Sequence, residues 1–174
     1  LQPPSDGGVG GDSRYDVYIK SISPYGYTQP ESPGPEPWND MTSFIVVNND
    51  YTGYYTSGRD AQKVTSSHEF FHAIHFTYDY SEPTWFMECT AVWIEDAAYP
   101  SINDCYQYLS TFFSSPEKSL TLTNGIHEYS IFVWAKYLET RYGISIIKEI
   151  WEGCIDAGVL TATEQALQTH RSSR

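Results

Sequence analysis

The chain has 174 residues, 40% of them apolar and 16% aromatic, with 15 Tyr, 5 Trp and a formal net charge of −12. That length and composition build one globular domain, or two small lobes sharing a cleft, around a proper core. The charge excludes nucleic acid as the main partner and works against binding to an anionic membrane, and no run of about 18 apolar residues is present to span a bilayer.

Residues 1–13 are rich in Gly, Pro and Ser and read as a flexible leader. The start at Leu1 carries neither a basic nor an apolar secretion-signal region, as expected of a mature form or an excised domain. Tyr15 to Ile22 alternates and is rich in Val, Tyr and Ile, which predicts a strand. A loop with five prolines between Pro24 and Pro37 follows, and then a second strand, 43–48, whose continuous apolar run suggests cover on both faces. Asn49 to Gly53 marks a turn, with Tyr54-Tyr55 opening a short edge strand.

Helical periodicity takes over from about Asp60 to Tyr78, with Ser57 or Gly58 at its start, and again from Pro83 to Ala97, with Ser81 as cap. Four more helices are predicted at 101–113, 126–141, 144–152 and 161–170. Ser101 with Asp104, and Thr161 with Glu164, resemble capping boxes; Gly143 and Gly153 stand where helices end. The expectation is an α+β fold: a leader, a lobe over 14–80 with a small sheet packed on an active-site helix, and a helical lobe over 81–174. Cys89, Cys105 and Cys154 allow one bridge and leave a thiol over. Cys89 reads as buried, Cys105–Cys154 stays open, and the compartment is not settled by them.

The chemistry concentrates in His68-Glu69-Phe70-Phe71-His72. Two histidines four residues apart share one helix face, within reach of one small cation, and tetrahedral zinc at about 2.0–2.1 Å is its common occupant. Glu69 projects beside the ion rather than onto it. Two structural histidines around a solvated Glu are the bland alternative. The apolar flank of Phe70, Phe71, Ala73, Ile74 and Phe76 argues against that, because polar groups set among apolar ones need satisfying.

A catalytic zinc takes a third protein ligand. A Gly-x-x-His continuation would need Gly at 75 and His at 78, where His75 and Tyr78 stand. His75 lies about 10.5 Å along the axis from His68, too far to share the ion, and reads as packed or as a partner behind a ligand. Asp79 lacks the turn. Glu88, in the apolar segment Trp85 to Asp96, is the better candidate, since an antiparallel helix there passes over the histidines. Glu95 and Asp96 are rivals, or carboxylates that orient a ligand histidine. No Asp-x-Asp-x-Asp-Gly loop supports a calcium site.

His68-Glu69-x-x-His72 followed by Glu88 on a second helix resembles the gluzincin metallopeptidases, the thermolysin-like clan. Over roughly residues 40–150, Ser-Ser-His-Glu-Phe-Phe-His-Ala-Ile-His-Phe and Trp-Phe-Met-Glu-Cys-Thr-Ala-Val-Trp-Ile-Glu-Asp are similar to a group of secreted prokaryotic proteins, presumed metalloproteases. The resemblance implies a zincin-like fold, secretion, zinc on His68, His72 and Glu88, and Glu69 as the catalytic carboxylate. It departs at Val92, where thermolysin-like enzymes carry an Asp that orients the first histidine. That role is left open among Glu95, Asp96, Asp79 and a backbone carbonyl.

The expected activity is a zinc metalloendopeptidase, in which Glu69 takes a proton from a zinc-bound water and gives it to the leaving amine. A further donor must meet the oxyanion; the expected one is His127, with Tyr129 second. The expected protein is a monomer that binds a protein or peptide substrate extended, along an edge at Asn48 to Tyr55. The rivals are a non-catalytic or weakly active binding module on the same fold, against which intact Glu69 speaks, and an aminopeptidase, for which no acidic anchor for a free amine is evident.

Overall fold

Three strands precede seven helices along residues 1–172, the part of the chain described by this computed structural model. β1 (Val17–Lys20), β2 (Gly26–Pro33) and β3 (Met41–Asn48) form one sheet in the order β1-β3-β2. β3 is central, parallel to β1 and antiparallel to β2, and its Ile45, Val46 and Val47 are buried. A strand covered on both faces is what its unbroken apolar run demands. The architecture is α+β, as the periodicities predict.

The proline-rich segment read as loop contains β2. Pro30 and Pro33 lack an N–H to donate, which an edge strand tolerates, and the register shifts between them. The edge strand expected at Tyr54-Tyr55 is a turn instead. There Asn48 Nδ2 donates to the carbonyls of Ile22 and Pro24, Tyr54 donates to the Ser23 carbonyl, and Tyr25 packs on Tyr54.

α1 (Gly58–Tyr78) lies against the sheet, and α2 (Thr84–Ala98) returns along it. The pairs His68–Glu95, Phe71–Trp93 and His75–Thr90 run in opposite senses along the two helices, so they are antiparallel. A short 3-10 turn (Asp104–Tyr108) leads into α3 (Leu109–Ser114). The single helix predicted at 126–141 is two, α4 (His127–Ser130) and α5 (Phe132–Tyr142), broken at Ile131. α6 (Ser145–Gly153) and α7 (Val159–Ser172) complete the core. Phe86 stacks on Trp151 at 4.6 Å amid Ile146, Ile147, Ile150 and Leu138. The predicted C-terminal lobe runs to 174; residues 173 and 174 lie outside the described residues.

Several caps differ from expectation. α2 begins at Pro83, and Ser81 instead donates to Asp79 Oδ1 through both its N–H and its hydroxyl. The turn after Asn103 has no side-chain cap from Ser101. α7 starts two residues before Thr161, where Glu82 reaches across to accept the Val159 N–H at 3.1 Å. Gly143 ends α5 at φ +95°, as its sequence position suggests. Gly153 ends α6 without a left-handed backbone, and it also serves closeness: a Cβ there would meet Ala162 Cβ of α7 at 3.0 Å. Cys89, Cys105 and Cys154 are all buried free thiols, so no disulfide joins Cys105 to Cys154.

Candidate metal centre

α1 presents His68 and His72 one turn apart, and α2 brings Glu88 over them. His68 Nε2 is 3.2 Å from His72 Nε2 and 3.2 Å from Glu88 Oε2, and the His72–Glu88 edge is 3.5 Å. A point equidistant from these donors lies about 1.9 Å from each, a span that zinc bonds of about 2.0–2.1 Å would suit. Two imidazole nitrogens and a carboxylate oxygen form the donor set of a catalytic zinc. The residues fit the ion.

The far side of each histidine is also held. His68 Nδ1 donates to Glu95 Oε1 at 2.6 Å, so Glu95 takes the orienting place that Val92 leaves vacant, rather than Asp96 or Asp79. Asp96 pairs with Lys136, and Asp79 caps the α1–α2 turn. His72 Nδ1 lies 3.3 Å from Nδ1 of the fully buried His75, whose Nε2 is 3.0 Å from Thr90 Oγ1. Thr90 gives its proton to the Phe86 carbonyl and accepts from Trp151 Nε1. It therefore accepts from His75 Nε2–H, which leaves His75 Nδ1 to accept from His72. With both Nδ1 atoms donating, both Nε2 lone pairs and the Glu88 carboxylate converge on one point. Three acceptors facing one another without a proton repel; a cation between them satisfies all three.

The electrostatics agree. Burial disfavours the charged form of His68, yet Glu88 and Glu95 outweigh it and hold its pKa well above the ordinary imidazole value. Burial drives Glu95 the other way, up to about 7. The direction for His68 governs, because two carboxylates face its ring at once. Glu88, raised by burial, is pulled far below the usual range by His72 and His68. His75 is held neutral by burial and by His72 beside it. The cluster is built to hold positive charge.

Glu69 stands beside the triangle, not in it. Thr28 of β2, placed 2.7 Å from the Glu69 carbonyl and 2.9 Å from its Oε2, clamps strand to helix and carboxylate alike. Gly26 makes that approach physically possible: a Cβ there would stand 2.8 Å from Thr65 Cγ2 and 2.9 Å from both Glu69 Cγ and the Val46 carbonyl. Thr28 and Gly26 were not foreseen. Their signal is the alternating exposure along β2, masked in sequence by its prolines.

Of the two expected oxyanion donors, the structure sets His127 apart. It is 2% exposed, its Nε2 donates to the Ser119 carbonyl at 3.0 Å, and it lines neither pocket beside the cluster. Tyr129, two residues on, lines both, its ring 6.3 Å from that of His68 and nearly parallel. Burial and the nearby Glu88 raise its pKa, so its phenol remains a donor. Two pockets, of about 300 and 320 Å³, adjoin the cluster and share Gly26, His68, Glu69 and Tyr129 as lining.

No curated protein and no solved structure matches this chain. Residues 54–172, which carry every donor of the cluster but not β2, match one family, and the chain thereby belongs to DUF6055, a family of unknown function.

Proposed function

We propose that the chain is a zinc-dependent metalloendopeptidase. The observation that carries this reading is the 3.2–3.5 Å triangle of His68 Nε2, His72 Nε2 and Glu88 Oε2, with an unligated carboxylate alongside. Zinc held by these residues supplies a Lewis acid and lowers the pKa of its water toward about 7. Glu95 and His75 fix the ligand rings from behind. Glu69, steadied by Thr28, accepts the proton of the attacking water; as the water oxygen bonds to the carbonyl carbon and the C–N bond breaks, the proton passes to the amine. Tyr129 donates to the oxyanion.

Two pockets that adjoin the cluster and share lining residues suit a peptide or protein lying extended across them. β2 supports the same reading, as the exposed sheet edge nearest Glu69. In this reading the protein acts as a secreted monomer. Zinc content by elemental analysis and casein hydrolysis, with and without a chelator, test the proposal. One equivalent of zinc with chelator-sensitive cleavage is expected. Glu69→Ala should keep the metal and lose turnover; unchanged turnover would end the proposed mechanism.

A further inference from the structure

We propose that the pocket on the Glu95 side of the cluster is a specificity pocket for a lysine or arginine side chain of the substrate. The inference rests on the peptidase reading and names the substrates it acts on. The pocket is lined by His68 and Glu69 of the cluster's helix together with Glu95, Asp104, Tyr108 and Tyr25. At about 300 Å³ it has room for one long side chain.

Two buried carboxylates line it, and each keeps an oxygen without a partner. Asp104 is 4% exposed; its Oδ2 accepts from Gln107 Nε2 at 2.8 Å, the Thr56 hydroxyl stands nearby, and its Oδ1 has no hydrogen bond of good geometry. Glu95 is 5% exposed and spends Oε1 on His68, while Oε2 is unpaired. Unpaired acceptors at such burial are costly, and a donor that enters the pocket and draws these carboxylate oxygens toward it recovers that cost.

Charge decides the kind of donor. The residues lining the two halves of the cleft include four carboxylates (Glu69, Glu88, Glu95 and Asp104) and no Lys or Arg. A divalent ion on the cluster balances two of them, Glu88 directly and Glu95 through His68. Glu69 is committed to moving a proton. Asp104 is left as a buried carboxylate without a cation, and burial is the main influence on it. Tyr108 and Tyr129, stacked at 5.4 Å, offer an aromatic wall for an aliphatic stem and for a cation at its end. An acidic substrate side chain is repelled, and a neutral apolar one leaves the acceptors unpaired.

The test uses the zinc-loaded protein and matched fluorogenic peptides that differ at the residues flanking the cleavable bond: Lys, Arg, norleucine or Glu. The Lys and Arg peptides should be cleaved with kcat/KM at least about tenfold above norleucine, with Glu lowest. Asp104→Asn should collapse that ratio. Binding gives a second readout: Glu69→Ala protein should hold the Lys peptide at least about tenfold tighter than its norleucine analogue, and adding Asp104→Asn should remove the difference. Cleavage of Lys and norleucine peptides at equal rates overturns the pocket assignment and leaves the peptidase reading standing. Absence of cleavage with Asp104-dependent binding of the Lys peptide does the reverse. If Asp104→Asn fails to fold, the ratio measured on the unaltered protein decides.

Discussion

Gly26→Ala tests whether β2 positions Glu69. The backbone there is not in the left-handed region, so the issue is space alone. The new methyl would meet Thr65 Cγ2 at 2.8 Å and Glu69 Cγ and the Val46 carbonyl oxygen at 2.9 Å, where ordinary contact begins at 3.4 Å. Val46 is the central-strand neighbour and cannot retreat, so relief requires β2 to lift from α1 or the Glu69 side chain to move by about half an ångström. Overpacking of this kind costs about 1–3 kcal/mol, which in a chain of this size lowers Tm by about 2–12 °C. Either movement stretches the Thr28 contacts to Glu69. Misplacement of a catalytic group by about 1 Å costs roughly a hundredfold, so kcat should fall tenfold to a hundredfold with KM little changed. Gly26 touches no ligand of the cluster, so zinc content should stay at one equivalent. Calorimetry, casein turnover and elemental analysis on one preparation separate the effects. A variant with unaltered Tm and turnover would refute the packing argument; one that loses zinc would refute the division between metal grip and proton transfer.

Glu95→Gln keeps the size of the side chain but removes the charge that holds His68 Nδ1–H at 2.6 Å; zinc affinity, measured by competition with a chromophoric chelator, should fall about 10–100-fold. Tyr129→Phe should lower kcat about a hundredfold or more and leave zinc affinity unchanged; an equal loss in both would make Tyr129 structural. Glu82→Ala strips the buried Val159 N–H of its acceptor and should cost about 1–3 kcal/mol, read as a Tm lower by several degrees with kcat unaffected.

What the sequence makes legible follows the range of the interaction. α1 and α2 were legible because their apolar periodicity and the buried polar trio are local, and the donor triangle follows once two helices pack antiparallel. β2 was not, because prolines read as loop until the strand has an edge to sit on. Gly26 and Thr28 act on Glu69 across 41 or more residues, so no spacing rule reaches them. Asp104 looked like half of a capping box, and only the fold reveals it as a buried wall of the cleft. The sequence ranks His127 ahead of Tyr129 within one short segment; the burial of His127 and its hydrogen bond to Ser119 set it apart from the pockets that Tyr129 lines.

Position 92 shows how the fold resolves a conflict that the sequence left open. From Glu88, a step of four residues turns about 40° around the helix, whereas a step of seven returns to within about 20° of the starting face, two turns further along. Rotation alone keeps both positions near the face of Glu88, and packing separates them: Val92 is fully buried in a separate apolar cluster with Cys105 and Phe132. A carboxylate there would be buried against those residues with no partner. Glu95 instead stays above His68, beyond the ring from Glu88, so one imidazole is bracketed along α2: Nε2 faces Glu88 and Nδ1 faces Glu95. In the proposed metal centre, a single helix face would thereby supply both a ligand and the group that aims another ligand. Placing an acid at 92 in the Glu95→Gln background should fail to recover zinc affinity and should cost stability, whereas returning Glu at 95 recovers the affinity.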